Sequence, residues 1–569
     1  MPQVIPSDGH AVGDTGHTAD HNNISDMLGL LSAVVSQASG PSTANSTTPP
    51  AAGAVAALQS MNTNWSMLSE AYCRFRPEAY GAKADGVVIY DAAITSGLAV
   101  LTSATANFTA GDVGKQILIA AAGAATGSTF GTLATTISGF TNSTTVTLAA
   151  NATTTVASGP AVYGTDDTAA IKSAVTAATN FALNDIRYAE IIFGAQIYMI
   201  AGAPTQGGAT KGNAVIPLPY VLLSAEKLSL VFRGTSRRTT SAMYALNSLP
   251  LMSGTTLVFC RTDGSLNGTF GPSSVFGGPT FEQIGKPGGA NTFSNLRVTI
   301  DGLSLVMPLD STYTGFDFYG LVSQSVISLN VTAFATPAQQ IAATLVNTWA
   351  TGLRSPSLTN DGSCFIGEFT VSGIYSGATL SEHITAFMIV AFWCRRGIVG
   401  YTDSQGTTMQ HCSRILYACL ETNINQLFFG DGLCRMDINT LDMDNGSGGN
   451  MIQDPSNLGM GDMIVRGYTG SSLTVSGGTG LRIINGDQAR GHVTAPGVPA
   501  TTTPFTSTFW RDAAVTVVPG ASTCSIAVDG TATGLVLASS GVGGTVFVPS
   551  GKSITLTYAS APTWNWVLL

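Results

Sequence analysis

The chain has 569 residues, only 10% of them charged, with a formal net charge of −9 and a pI of ≈ 5.1. That length exceeds one ordinary compact core, so several domains or one elongated repeat are expected. The acidic balance, with no basic cluster longer than Arg237-Arg238 or Arg395-Arg396, excludes a general nucleic-acid binder.

Glycine supplies 65 of the residues, a larger share than the usual level of about 7%. Aliphatic and aromatic residues stay plentiful, so short strands and many turns are expected, not helical bundles or disorder. No apolar run is long enough to span a membrane, which excludes insertion. The opening Met1-Pro2-Gln3-Val4-Ile5-Pro6-Ser7-Asp8 lacks the basic and apolar regions of a signal peptide, so synthesis in a cytoplasm is expected. The eight cysteines (Cys73, Cys260, Cys364, Cys394, Cys412, Cys419, Cys434 and Cys524) contain no CxxC pair. They read as buried free thiols, and neither a metal site nor a cofactor is expected.

In chain order, residues 1–40 form an N-terminal segment. His10–Ile24 reads HAVGDTGHTADHNNI, which resembles a short segment near the start of many phage tail proteins. Ile24, Met27, Leu31 and Val34 follow at heptad spacing. His17 and His21 lie four apart, as two ligands on one helical turn would, but three or four ligands are needed; a polar helix start is the better reading. Residues 41–50 are a Pro/Ser/Thr linker. Residues 51–76 predict a second helix, with Val55, Leu58, Met61, Trp65, Leu68 and Tyr72 along one narrow seam. A seam of that kind needs a partner, and three copies of the chain are expected to associate there.

A split motif organises the rest. Ala79–Gly86 reads AYGAKADG, and Thr165–Ile171 reads TDDTAAI; a strand Glu190–Ile200 follows, EIIFGAQIYMI. Thr165 or Asp166 is placed to cap a helix, with Asp166 and Asp167 at its positive end; a catalytic role is the lesser reading of these aspartates. Ile171, Ala174, Val175 and Ala178 give the helix an apolar stripe. Joined, the two halves resemble the opening of the pectate-lyase-like right-handed β-helix proteins, a family that includes many phage tailspikes and tail proteins. The resemblance implies a β-helix cap at residues 77–86 and 164–200 and a parallel β-helix over 201–500. It implies little about chemistry, because this cap stands on lyases, hydrolases and inert fibres alike.

Residues 87–163 interrupt the motif. Stretches such as TTISGFTNSTTVTLAA alternate polar and apolar residues, predicting a small all-β domain that binds sugar or packs on the shaft. Beyond residue 200, SNLRVTIDGLSLVM (294–307) and SVISLNVTAF (325–334) read as rungs. Cys394, Cys412 and Cys434 lie 18 and 22 apart and are expected to stack on successive rungs as core filler. Residues 504–569 contain six short strands with turns at Pro519-Gly520, Asp529-Gly530 and Ser550-Gly551, predicting a C-terminal β-sandwich. Its ending, VPSGKSITLTYASAPTWNW, resembles a recurring C-terminal module of phage tail proteins. Trp564 and Trp566 share a strand face, either as core or as a sugar-stacking platform.

Polysaccharide hydrolysis needs paired carboxylates about 5–9.5 Å apart. Asp361, Glu382, Asp403, Glu421, Asp442 and Asp462 recur at 18 to 21 residues, the cysteine step. Asp403, Glu421 and Asp442 are the catalytic candidates; the competing reading is that aspartates favour turns, and turns recur once per rung. Asp442 and Asp444 are too few oxygens for a cation site. Arg395, Arg396, Arg414 and Arg435 are available to a lyase, or pair with surface acids. The resemblance implies a virion structural protein, a minor tail protein or tail fibre made without a signal peptide. It is expected to form a homotrimer, to contact other tail-tip or baseplate proteins and to bind host cell-surface glycan. The alternatives are a tailspike depolymerase, hydrolase or lyase, and a purely structural tail subunit.

Overall fold

The structure is a computed structural model. It describes residues 73–569 apart from 125–129, 185–186, 207–212, 220, 222–224, 237–253, 264–265, 268–270, 278–293, 319–320, 344, 346–349, 356–363, 381–382, 401–412, 422–424, 430–435, 445–449, 454–462, 471–472, 477–480, 486–490, 494, 508–511, 540 and 550. The chain is mainly β, with parallel sheets as its largest feature. The expected helices of residues 1–40 and 51–72, with His17 and His21, lie outside the described residues. The second predicted helix does not reach residue 76: Arg74–Phe75 is a strand paired in parallel with Glu190–Ile191. Among the described residues no helix is long and apolar enough to cross a membrane.

The split motif closes in space. Asp85 accepts hydrogen bonds from Thr165 N (2.8 Å) and Thr165 Oγ1 (3.0 Å) across 80 residues of chain. Asp167 accepts from Lys83 N (2.6 Å) and Ala84 N (3.1 Å). Asp166 is the side chain that caps, taking Thr168 N at 3.0 Å at the start of the helix Thr168–Asn184. That helix buries Ile171, Ala174, Val175 and Ala178, the predicted stripe, and Ile171, Val175 and Ala178 join a core with Phe75, Phe193 and Tyr198. The inserted domain leaves at Gly86 and returns at Gly164, and glycine is needed at both. A Cβ on Gly164 would fall 2.9 Å from Gly86 Cα, and one on Gly86 would fall 2.3 Å from Ile197 Cγ2.

Two sheets of thirteen and ten strands make up the main body, parallel throughout except where Thr205–Gln206 pairs antiparallel with Asn213–Pro217. From Cys364 onward the chain alternates between them: Cys364–Ser372 in the wide sheet, Ser376–Leu380 in the narrow one, then Ile384–Phe392 and Arg396–Gly400. Strands Ser413–Glu421, Met436–Asp444, Met463–Gly470 and Leu481–Asn485 continue the wide sheet. Period-two alternation sends Phe369, Val371, Ile389, Ala391, Ala418, Leu420, Leu441 and Met443 into a core shared with Leu353, Ala378 and Ile398 of the narrow sheet. The longest strand, Ser294–Pro308, bends at Gly302 (φ 69°). Its first half pairs with Leu228–Arg233 and its second half with Thr256–Phe259.

The rung length differs from the expectation. Phe365, Thr385, Arg414, Asp437 and Ile464 are successive partners, so one step takes 20, 29, 23 or 27 residues. Of the expected cysteine stack, Cys394 alone lies among the described residues. It follows Phe392, whose partner is Glu421. Cys394 meets the Gly373–Ile374 backbone in the core, where burial pushes its thiol up to about 12. Cys412 and Cys434 lie outside the described residues.

Residues 87–164 form a closed six-stranded antiparallel barrel. Its core holds Ile89, Leu101, Ile117, Ile119, Val146 and Tyr163. Leu118, Ala120 and Val162 pack from its outside onto Met199, Val258, Cys260, Val306 and Phe334 of the wide sheet. Near the C-terminus, two four-stranded antiparallel sheets share one core of Val515, Ile526, Val548, Leu556 and Trp566. This unit starts earlier than predicted, because Gly491–Val493 pairs with Trp566–Leu568.

Candidate functional site

The outward face of the wide sheet runs in continuous rows. One row reads Met199, Val258, Val306, Thr332, Ser372, Phe392 and Glu421, each the register partner of the next. The neighbouring row reads Asn330, Thr370, Val390, Cys419, Asp442 and Thr469. On strand Ser413–Glu421 the inward residues are Ala418 and Leu420, so Tyr417, Cys419 and Glu421 face out together.

These rows bring acids and aromatics together. Tyr417 OH donates to Asp442 Oδ2 at 3.2 Å, and Thr469 Oγ1 donates to Asp442 Oδ1 at 2.9 Å. Cys419 Sγ lies 3.5 Å from Glu421 Oε1. Val390, Phe392, Trp393 and Cys419 form a small apolar cluster, with Met388 and Tyr417 against it. Phe392 and Trp393 sit with ring centroids 5.9 Å apart, and Trp393 N donates to the Glu421 carbonyl at 3.2 Å. Burial, then the charges of Glu421 and Asp442, push the Cys419 thiol up to about 12, so it is not a nucleophile at neutral pH. Burial and the same neighbourhood raise Tyr417 as well.

Of the expected acid column, Asp361, Glu382, Asp403 and Asp462 lie outside the described residues. Glu421 and Asp442 come to adjacent strands but not to one register position. Glu421 pairs with Asp444, and Asp442 pairs with Cys419. They are therefore diagonal neighbours, roughly 8 Å apart at the backbone for a strand spacing of about 4.8 Å and a two-residue offset. Both side chains stand on the same outward face of those strands. Tyr417, Cys419, Phe392 and Trp393 were not anticipated. The alternation of Tyr417-Ala418-Cys419-Leu420-Glu421 was the available signal.

Trp564 and Trp566 are not a sugar platform. They are 8% and 0% exposed, their rings meet edge to face at 5.4 Å, and Phe505 packs on both. Trp564 Nε1 donates to the Pro496 carbonyl at 2.7 Å. The shared strand face points into the core between the two sheets.

A second charged cluster locks the barrel to the cap. Lys115 Nζ lies 2.7 Å from Asp85 Oδ2 and 2.9 Å from Asp112 Oδ1. Burial pushes both carboxyls up, but Lys115 and hydrogen bonds from Thr165 and Thr109 outweigh it and hold them below their ordinary value. Asp167 behaves oppositely: burial pushes it up to about 6 against its backbone N–H donors. All three aspartates are committed to structural bonds, so capping and locking account for them. Comparison with protein-family models, curated proteins and solved structures finds no match to this chain.

Proposed function

We propose that this chain is a virion structural protein of a phage tail that binds host cell-surface glycan. In this reading the parallel sheets wind as a right-handed β-helix, the rigid shaft, and the C-terminal sheets form a sandwich. The chain acts as a homotrimer, joined through its N-terminal seam, and contacts other tail-tip or baseplate proteins. The observation that carries glycan binding is the outward face of half-buried Tyr417, Glu421 and Asp442, with the buried rings of Phe392 and Trp393 packed behind it. The Tyr417 ring beside two carboxylates on a rigid sheet supplies apolar contact for a sugar ring and acceptors for its hydroxyls. The split cap motif supports the tail assignment.

The diagonal offset of Glu421 and Asp442 favours a second reading, a polysaccharide hydrolase. Asp442, oriented by Tyr417 and Thr469, would be the base and Glu421 the acid. A purely structural subunit is the remaining alternative. Incubating the purified chain with cell-wall or capsular polysaccharide from candidate hosts, scoring binding and released oligosaccharide, separates the three. Binding without release supports the adhesin. Release abolished by Glu421→Gln and Asp442→Asn makes it a depolymerase, and absence of both leaves the structural subunit.

A further inference from the structure

Positive charge gathers at the corner beside the acid–aromatic face. After Phe392 the chain turns through Trp393, Cys394 and Arg395 into the narrow-sheet strand Arg396–Gly400. Cys394 faces the core and Trp393 and Arg395 flank it. Tyr375 holds the equivalent place one rung earlier: Arg396 N donates to its carbonyl at 2.8 Å, and Ser376 pairs with Arg396. The guanidinium carbons of Arg395 and Arg396 lie 5.7 and 5.1 Å from the centroid of the Tyr375 ring.

Arg395 is fixed but underused. One of its N–H groups reaches the Leu345 carbonyl at 3.1 Å, and among the described residues it has no carboxylate partner. A guanidinium offers five N–H donors in a planar fork, so most of its capacity is unspent. The ring and the carbonyl hold that fork in place, so little further ordering is required on binding. A second cation on the same ring raises the local positive potential within a chain whose net charge is −9. Burial lowers Arg396, Tyr375 opposes that shift, and the Arg395 charge adds to it.

We infer that this corner binds an anionic group carried by a glycan, with half-buried Arg395 gripping its oxygens. The inference rests on the glycan reading of the neighbouring face, to which Trp393 is joined through the Glu421 carbonyl. A guanidinium fork matches carboxylate and phosphate oxygens alike, so the shared chemistry is a planar or tetrahedral oxyanion. A sugar carboxylate and a phosphodiester of a polyol phosphate are its two sources.

The test uses the full chain and three polymers of matched length: polygalacturonate, poly(glycerol phosphate) and neutral dextran. Monomeric galacturonate is titrated in parallel by tryptophan fluorescence. At least one polyanion is expected to bind about tenfold or more tightly than dextran, the scale of a charged hydrogen-bonded contact. Arg395→Gln removes that preference, and Arg395→Lys keeps part of it, with unchanged circular dichroism. Which polyanion binds identifies the oxyanion. Equal binding of charged and neutral polymers, or a preference that survives Arg395→Gln, overturns the inference and leaves glycan binding standing. Arg395-dependent binding of galacturonate alone, with no polymer bound, sustains the anion site and sinks glycan recognition. Binding of no probe overturns both.

Discussion

The outward row of the wide sheet changes chemistry along its length. At one end Met199, Val258 and Val306 are apolar and lie under the barrel residues Leu118, Ala120 and Val162. In the middle Thr332 and Ser372 share a hydroxyl–hydroxyl bond of 2.6 Å. At the other end Phe392 gives way to Glu421, with Asp442 in the neighbouring row. The backbone is the same parallel ladder throughout, so its hydrogen bonds do not distinguish the ends. What differs is the neighbour each stretch is built to meet: a packed domain wants methyl groups, and a solvated or sugar-facing surface wants acceptors and rings.

Substitutions at the covered end should have the largest effect. Phe334 is fully buried where the barrel meets the sheet. Phe334→Ala is expected to cost about 3–5 kcal/mol, read as a lower midpoint in chemical unfolding. A silent variant would mean that the barrel does not depend on this contact. Gly164→Ala comes next. Its Cβ would press on the Gly86 backbone, a clash expected to cost about 1–3 kcal/mol. Unchanged stability there would show that the entry and exit of the barrel are not held together.

The junction also gives the comparison a pH dependence of two signs. Asp85 and Asp112 are held below their ordinary value of 3.8 in the folded chain. Their contribution is present above that value and is lost as pH falls below it, because the unfolded chain then binds more protons. Asp167 is raised to about 6. The folded chain binds its proton more tightly, so that contribution is present below pH 3.8 and is lost as pH rises toward about 6. Melting temperature against pH should therefore lose its acid limb in Lys115→Met and flatten between pH 4 and about 6 in Asp167→Asn. An unchanged acid limb in Lys115→Met would remove the ion pair from the account of the junction.

The legible parts of this molecule are those written in local chemistry. Asp85, Thr165, Asp166 and Asp167 announce a junction because only short polar side chains reach backbone N–H groups at turns. Ile171, Ala174, Val175 and Ala178 announce a buried helix by spacing alone. The rung length was not legible, because register is set by strand pairing while the residues between strands vary in number. Steps of 20 residues from Phe365 to Thr385 and 29 from Thr385 to Arg414 defeat any fixed period. Of an acid column drawn at 18 to 21 residues, only Glu421 and Asp442 lie among the described residues, and they stand two residues apart in register. Trp564 and Trp566 show the complementary limit: a two-residue spacing says that they share a face, but not which way it looks.

The smallest expected effect lies at the acidic end, and it is the sharper probe for that reason. Tyr417 is half-buried, and its hydroxyl holds Asp442 together with Thr469. Tyr417→Phe keeps the ring against Val390 and Phe392 and removes one hydrogen bond, so it should cost no more than about 1 kcal/mol of stability. If the outward face only stabilises the sheet, nothing else changes. If Asp442 must be aimed at a ligand, glycan binding should weaken while the unfolding midpoint barely moves, and Thr469→Val should do the same. A Tyr417→Phe variant with normal binding would make the acidic end a solvated surface, and the contrast with the barrel-covered end would then be one of packing alone.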